Sequence, residues 1–436
     1  MISVDAAFLF LASVAFLGFI LNALFEKLRI VYLLPLMLIG VLVGPILGFV
    51  NTASGSVIAS LTPYITAGTV AIILFDVGLN INMSKLSKVL AKATYFTFGL
   101  GTVTGIAIGI LAYFIFDWPL IVSFIFGFAV AGTTTIGTPA IVKLLHMPEE
   151  LKTTLIYESI TSDTYQLIVP SLLLTILVSG NVTIASAAWI IIANLLGSIL
   201  FGTISALFWL LIMHRFAEYS KAYGWMLTIT MIIATYGAAD ALGLSGLLTI
   251  FIFGVLFATI GAYTVGANES LASDIVKRYL FVGQEIENIK GYQMQIAFFT
   301  SAFFFVYIGM LVQIDGVNAI TVLGALAACF VIVALRMFAV PRMLKDFMSK
   351  DAALFRKERL VSSFNIGRGI TPAIVATLVL SYGLSIPGFV NAIFLLILFS
   401  NIIATICIFL LERRQSAATP PNTSNAAIAP AKPQMA

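Results

Sequence analysis

The sequence is poor in charged residues, cysteine and histidine. Asp, Glu, Lys and Arg make up 10% of the 436 residues, whereas soluble domains contain about a quarter. The two cysteines, Cys329 and Cys407, lie far apart in apolar runs, which favours packing roles over a disulfide or a metal site. The net charge of +4 comes without a basic patch, so no nucleic-acid partner is expected. This composition excludes an ordinary soluble domain.

Long apolar runs occupy most of the chain. Hydrophobic residues make up 61% of it, and runs of about 18 residues or more can cross a bilayer as helices. We predict an all-α polytopic membrane protein with about thirteen transmembrane helices. The first run is taken as a helix rather than a signal peptide, because no Lys or Arg precedes it. The predicted spans are 6–24, 30–48, 62–82, 92–115, 119–145, 152–179, 184–212, 222–240, 245–264, 296–313, 318–343, 359–381 and 387–411.

Two segments are predicted to lie outside the bilayer. Residues 265–295 mix polar, charged and apolar positions, which suits an interfacial helix. Residues 415–436 are rich in Pro, Ala and Asn and are predicted to be a disordered cytoplasmic tail. Residues 1–414 then form one membrane domain.

The distribution of Lys and Arg predicts the orientation. With the N-terminus outside, the outward loops contain none of the 23 Lys and Arg residues, and the inward loops contain nearly all of them. Because basic residues favour cytoplasmic loops, we predict a multi-pass protein of the cell membrane with the N-terminus outside and the C-terminus in the cytoplasm.

Span 6 has the highest density of polar residues. Glu158, Ser159, Ser162, Asp163 and Gln166 form one face of a helix with 3.6 residues per turn. Asp163 lies roughly 15 Å into the span, near the bilayer midplane. A charge is costly at that depth, so this carboxyl is suited to exchange a proton for a cation near neutral pH. The alternative is a structural acid paired with a basic residue.

Spans 5 and 12 contain interruptions. Span 5 includes AVAGTTTIGTPAIV and span 12 includes NIGRGITPAIV, and both combine Gly with Pro. Such breaks are tolerated in lipid where the freed backbone lines an enclosed cavity. We predict two inverted six-helix repeats, spans 2–7 and 8–13, whose broken helices cross at a transport site. Ordinary packing kinks are the alternative.

Other intramembrane charges need partners or water. Arg368 lies deep in span 12, and an ion pair with Glu158 would neutralise both charges. Asp76 in span 3 either lines an inward-facing ion path or extends to the interface. Asp240 is predicted at the outer interface, and Arg336 near the inner end of span 11, where a long side chain can reach water.

Five segments together resemble the monovalent cation:proton antiporter superfamily over about residues 20–410, most of all its sodium/proton exchanger branch (NhaP and NHE). MPEELKTTLIYESITSD is similar to a Pro-Glu loop followed by Glu-Ser-x-x-Asn-Asp, and IGRGITPA to an Arg-Gly-x-x-Pro signature. The other three segments are KLRIVYLLPLMLIGVLVGP, ILFDVGLNINMSKL and ALGLSGLLTIFIFGVLFA.

The resemblance implies a role for each matching position. Asp163 matches the acid that binds cation and proton in turn, Ser159 a side-chain ligand one turn before it, and Thr133 the crossover whose carbonyl reaches the ion. These three positions would form the Na⁺ site. Asp76 matches an acid that contributes through water in some members.

The resemblance also implies a structural ion pair between Glu158 and Arg368, and two positions depart from the exchanger pattern. Thr134 stands where exchangers usually have the Asp of Thr-Asp-Pro, and TTTIGTPA is more similar to the Kef- and NapA-like branch. Ser162 replaces the Asn that precedes the key acid. That position is Asp in electrogenic members, so its absence implies electroneutral exchange, whereas Thr134 leaves the cation open.

The expected function is antiport of Na⁺ or Li⁺ against H⁺ by alternating access. A core of spans 4–6 and 11–13 would move against a scaffold of spans 1–3 and 8–10. A K⁺/H⁺ antiporter on the same scaffold is the alternative, and a cation channel or a transport-dead sensor is less favoured. An enzyme is disfavoured because both histidines lie in inward loops. No cofactor is expected, and the family's usual homodimer is the expected assembly.

Overall fold

The computed structural model describes residues 12–21, 33–48, 57–80, 90–134, 138, 147–179, 184–265, 274–313 and 317–416. These residues form helices and turns, and no strand occurs among them. A helix satisfies its own backbone hydrogen bonds, which is what a chain without water around it requires. The predicted all-α architecture is confirmed.

The helices before the middle of the chain are numbered α1 to α7. They are α1 (Ala12–Leu21), α2 (Leu33–Val41, continued by a π-helical turn at Leu42–Ile46), α3 (Val57–Leu79), α4 (Leu90–Phe116), α5 (Leu120–Ala129), α6 (Glu149–Val178) and α7 (Ile184–Arg215).

Seven helices follow in the described residues after Arg215. They are α8 (Ala217–Ala241), α9 (Gly246–Val265), α10 (Asp274–Met310), α11 (Ala319–Met343), α12 (Ala352–Phe364), α13 (Ile370–Ser381) and α14 (Phe389–Ser416), with a 3₁₀ turn at Lys345–Phe347.

Eight helices in the described part of the chain are long and apolar enough to cross a membrane, and five shorter apolar helices accompany them. Every predicted span overlaps one of these helices, and span 12 overlaps the pair α12 and α13. A polytopic membrane protein is therefore confirmed, while the number of thirteen spans stays a prediction.

The predicted boundary between residues 265–295 and span 10 falls within a helix. Helix α10 is continuous over Asp274–Met310, and Glu285–Met310 within it is long and apolar enough to cross a membrane. Polar residues interrupt the apolar pattern of this stretch, so hydropathy alone did not include it in span 10. One of them, Gln293, is buried and donates its amide to the Ile72 carbonyl at 2.9 Å. Residues 417–436, most of the predicted tail, lie outside the described residues.

Pairs of glycines bring helices into close contact. A Cβ at Gly40 would lie 2.9 Å from the Gly309 Cα, and a Cβ at Gly78 would lie 3.0 Å from the Gly254 Cα. Small residues at these crossings let the backbones approach, as is common in membrane helix packing. The glycine pairs join α2 to α10 and α3 to α9.

The interrupted spans 5 and 12 are seven apart in the predicted order, whereas halves of 2–7 and 8–13 are offset by six. An offset of seven spans also interchanges the α2–α10 and α3–α9 contacts. The limits of the two repeats stay a prediction.

The helices pack in two groups. Helices α4, α5, α6, α11, α12 and α14 contact one another, and α2, α3, α8, α9 and α10 form the second group with α7 beside them. Helix α13 contacts α6 and α14 in the first group and also packs on α3 across the boundary. Helix α13, which follows the second interruption, therefore lies where these groups meet.

Candidate functional site

The first broken segment follows α5. Helix α5 ends at Ala129, and residues 130–134 continue without helical structure. A Cβ at Gly132 would lie 2.2 Å from Gln166 Nε2 and 2.5 Å from Ser162 Cβ. Glycine is therefore what lets the backbone of this segment approach the polar face of α6.

The second broken segment, residues 365–369, separates α12 from α13. A Cβ at Gly369 would lie 2.3 Å from Thr134 Oγ1, and a Cβ at Gly367 would lie 2.9 Å from Asn401 Oδ1. The two glycines thus face the first broken segment and α14, and larger residues would push these elements apart.

The two broken segments cross and are hydrogen-bonded to each other. The Thr134 N–H donates to the Gly367 carbonyl at 3.1 Å. The Asn365 side-chain amide donates to Thr138 Oγ1 at 3.0 Å, and all four residues are buried. A backbone N–H of the first interruption is therefore satisfied by a backbone carbonyl of the second. The predicted crossing is confirmed.

Arg368 binds backbone carbonyls of both broken segments. Its side chain is 1% exposed, and it donates Nε to the Val130 carbonyl and Nη1 to the Ile366 carbonyl, each at 2.7 Å. Val130 directly follows the last residue of α5, where a helix leaves free carbonyls and a partial negative charge. The Arg368 guanidinium satisfies a free carbonyl and offsets the partial negative charge at this end of α5.

The predicted ion pair of Glu158 with Arg368 is wrong, because Arg336 occupies the Glu158 carboxylate. Arg336 Nη1 lies 2.5 Å from Oε1, and Nη2 lies 3.1 Å from Oε2. Arg336 also donates Nη2 to the Ser362 carbonyl at 2.9 Å. At 3% exposure Arg336 does not extend to the interface, which corrects its predicted position.

Depth along the helices is the signal that identifies this pair. Glu158 is nine residues from the start of α6 at Glu149, and Arg336 is seven residues from the end of α11 at Met343. At 1.5 Å per residue these distances are about 13 Å and about 10 Å. The two ends lie on the same side in the predicted topology, so the charges share a depth, whereas Arg368 lies deeper.

Asp163 lies on α6 beside the start of α13. Its carboxyl is buried, and its Oδ1 accepts a hydrogen bond from Thr371 Oγ1 at 2.8 Å. Thr371 is the second residue of α13, so the positive end of this half-helix lies next to the acid. Thr371 was not among the predicted site residues. Thr371 follows Arg368 by three positions. The sequence does not show which helix the Thr371 side chain faces.

Ser162 joins α6 to the first broken segment. The Thr133 N–H donates to Ser162 Oγ at 3.1 Å, and Ser162 Oγ lies 3.2 Å from the Thr133 carbonyl, to which it can donate. The Thr133 hydroxyl is buried and has no partner within the described part of the chain. Ser159 donates to the Ile156 carbonyl of its own helix at 2.8 Å. The ion-binding roles of these residues and of Thr134 stay predictions.

A cavity of about 210 Å³ lies between the two groups of helices. It is large enough for several water molecules. Asp163 and Thr371 line it on one side, and Asp76 with Met294 and Ser301 lines it on the other. Asp76 Oδ1 is buried without a partner among the residues described. Asp76 thus lines this cavity, and its role in an ion path stays a prediction.

The fold and this site define a class: a multi-pass α-helical membrane protein with two crossing broken helices and a buried acid beside the crossing. A family model described as "Sodium/hydrogen exchanger, transmembrane" matches residues 11–413. The chain therefore belongs to the sodium/hydrogen exchanger family, a family of transporters, as the sequence motifs predicted.

Two relatives are similar over part of the chain. The Na(+)/H(+) antiporter NhaH of Halobacillus dabanensis is 26% identical over 222 residues, which are 47% of this chain and 53% of that protein. Sodium/hydrogen exchanger 1 of Dictyostelium discoideum is 26% identical over 247 residues, which are 55% of this chain and 34% of that protein. The matches thus span about half and about a third of these relatives' lengths.

Solved structures show the same fold. The sodium proton antiporter MjNhaP1 from Methanocaldococcus jannaschii, determined at pH 8, superposes with a TM-score of 0.71 at 20% identity. That match covers 93% of this chain and all of the other. A second structure of MjNhaP1, an electron-microscopy map, gives a TM-score of 0.64 at 18% identity, covering 96% of this chain and all of the other.

Proposed function

We propose that this protein is a secondary active antiporter that exchanges Na⁺ or Li⁺ for H⁺ across the cell membrane. The observation that carries the proposal is the position of Asp163. It is a buried carboxyl beside two crossing broken helices, and it lines a cavity between two groups of helices. Membership of the sodium/hydrogen exchanger family supports the choice of ions.

A single carboxyl that serves both ions makes the exchange obligatory. Protonated Asp163 is neutral, and deprotonated Asp163 offers a carboxylate to a cation, so the two ions exclude each other. The unwound backbone of a broken helix supplies further oxygens to a cation that has lost its water. Thr133 contributes a carbonyl and a buried hydroxyl in this scheme, and Ser159 and Ser162 contribute hydroxyls from α6.

Access to Asp163 alternates when one group of helices moves against the other. The core contains α4 to α6 and α11 to α14, and the scaffold contains α1 to α3 and α8 to α10. The cavity lies at their boundary, with Asp163 on the core and Asp76 on the scaffold. Asp76 approaches the site through water rather than by direct contact. A homodimer is the proposed assembly.

The test is ion-driven proton flux in proteoliposomes with the full-length protein. A gradient of Na⁺ or Li⁺ is expected to change the internal pH, and Asp163→Asn is expected to abolish the change. Asp240→Asn is the matched control, because Asp240 is an exposed acid at the end of α8. Retained exchange by folded Asp163→Asn protein would remove the basis of the proposal.

The same vesicles test the alternative cation and the stoichiometry. Thr134 occupies the position where exchangers usually have an acid, and this observation favours K⁺/H⁺ antiport as the second candidate. Flux driven by K⁺ but not by Na⁺ or Li⁺ would select it. For one-for-one exchange, an imposed membrane potential is expected to leave the initial rate unchanged, since no net charge moves. A rate that follows the potential would contradict electroneutrality.

A further inference from the structure

Thr371 contacts the acid on which the proposed exchange depends, although no role has been assigned to it. Its side chain is 2% exposed, and its hydroxyl donates to Asp163 Oδ1 at 2.8 Å. Both side chains line the cavity between the helix groups. The hydrogen bond links α6 to α13, the helix that begins after the second broken segment.

The partner of this hydroxyl differs from those of Ser159 and Thr377, two buried hydroxyls on the same helices. Ser159 donates to the Ile156 carbonyl within α6, and Thr377 donates to the Ile374 carbonyl within α13, at 2.8 Å and 2.9 Å. Such bonds within one helix satisfy the hydroxyl and fix no other side chain. Thr371 instead orients a carboxyl on a different helix. Valine has nearly the shape of threonine, so packing alone does not require the hydroxyl.

The hydroxyl is well suited to a carboxylate that binds a cation. A hydrogen bond to a charged acceptor is stronger than a neutral one. The Thr371 oxygen also keeps acceptor lone pairs while its hydrogen is donated, so it adds an oxygen beside the carboxylate at the cavity wall. It lies in the first turn of α13, where the helix dipole also favours the carboxylate.

We propose that Thr371 is a positioning residue that holds the Asp163 carboxylate in the orientation that binds the transported cation. Through this hydrogen bond, Thr371 sets the affinity for the cation rather than the rate at which the core moves. The inference rests on the proposed antiport and adds a residue of α13 to a site otherwise built from α6 and the first broken segment.

The test compares Thr371→Val, Thr371→Ser and Thr377→Val in the full-length protein. Initial rates of Na⁺-driven proton flux are measured at one pH over a range of Na⁺ concentrations. For Thr371→Val, the apparent KM for Na⁺ is expected to rise about tenfold, which corresponds to the lower end of the range for a hydrogen bond to a charged group. The maximal rate is retained. Thr371→Ser keeps the donor and restores KM, and Thr377→Val changes neither parameter.

A defect in folding gives a different result from a defect in positioning. Fewer active molecules lower the maximal rate and leave KM unchanged, and this outcome for Thr371→Val would overturn the inference. An unchanged KM, or a failure of Thr371→Ser to restore it, would overturn it as well.

A second measurement separates this inference from the proposed antiport. Thermal stabilisation of the purified proteins by added Na⁺ reports cation binding without transport. Thr371→Val is expected to shift the half-effective Na⁺ concentration upward by about the same tenfold factor. A wild-type protein without ion-driven flux would refute the antiport. A Na⁺ response identical in wild type and Thr371→Val would refute the role of Thr371.

Discussion

Glu158 and Arg336 are both buried, and each depends on the other to be tolerated in the core. Breaking such a pair by removing one partner strands the other charge and costs about 3–5 kcal/mol. Arg336→Met is therefore expected to lower the free energy of unfolding by about this amount, measured by thermal or chemical denaturation in detergent. Replacing both residues with apolar ones is expected to recover much of the loss.

Arg342→Met is the control for this change. Arg342 is exposed, and its guanidinium packs on the Phe338 ring at 3.5 Å from the centroid. An exposed cation–π contact contributes only about 0.5–1 kcal/mol. Equal destabilisation by Arg336→Met and Arg342→Met would contradict the buried pair with Glu158.

The sequence identified Asp163, Glu158 and Arg368 as buried charges but not their partners. Periodicity alone put Asp163 and Glu158 on one face of α6, because a helix fixes the angle between its own residues. Pairing of Glu158 with Arg336 and bonding of Thr371 to Asp163 join residues 178 and 208 positions apart, respectively. Such contacts depend on how helices pack, and no local pattern encodes them.

At the scale of elements, the crossing of the two broken segments depends on glycine at 369. Glycine permits the close approach of this segment to Thr134. An added Cβ would lie 2.9 Å from the Thr134 Cβ as well as against its hydroxyl. Gly369→Ala is expected to destabilise the protein by about 1–3 kcal/mol through overpacking, and to reduce ion-driven flux.

Gly237→Ala is the matched change for Gly369→Ala. Gly237 lies within α8, and a Cβ there meets no atom within 4 Å. Alanine is the better helix former by about 1 kcal/mol, so this variant is expected to keep its flux and to unfold at the same or a higher temperature. A neutral effect of Gly369→Ala on both measurements would contradict the tight crossing.

The helices and their interruptions could be predicted where the hydropathy pattern alone defines them. The two interruptions followed from Gly and Pro in otherwise apolar runs, and both occur as predicted. The predicted span 10 is shorter than helix α10, because Glu285, Lys290 and Gln293 interrupt the apolar pattern. Gln293 is satisfied by a backbone carbonyl of α3, and that compensation becomes visible only once the two helices are packed together.

At the scale of the whole molecule, the distribution of basic residues predicts the orientation in the membrane. Basic residues favour the cytoplasmic side of membrane proteins. The connection between α11 and α13 consists of the 3₁₀ turn and α12, and its basic residues all precede the second broken segment. The turn after α13 contains none. We therefore expect the α11–α12 connection inside the cell and the α13–α14 connection outside.

Cysteine labelling checks this orientation in intact cells. Ser385→Cys lies in the exposed turn after α13, and Lys350→Cys lies in the exposed connection before α12. Both are made after replacing Cys329 and Cys407, so that only the new thiol reacts. A membrane-impermeant maleimide is expected to label Ser385→Cys on whole cells and Lys350→Cys only after permeabilisation. The reverse labelling pattern would show that the predicted orientation in the membrane is inverted.

Labelling of both positions on intact cells would mean that the α12–α13 pair does not cross the membrane. That result would conflict with the predicted position of Asp163 near the midplane.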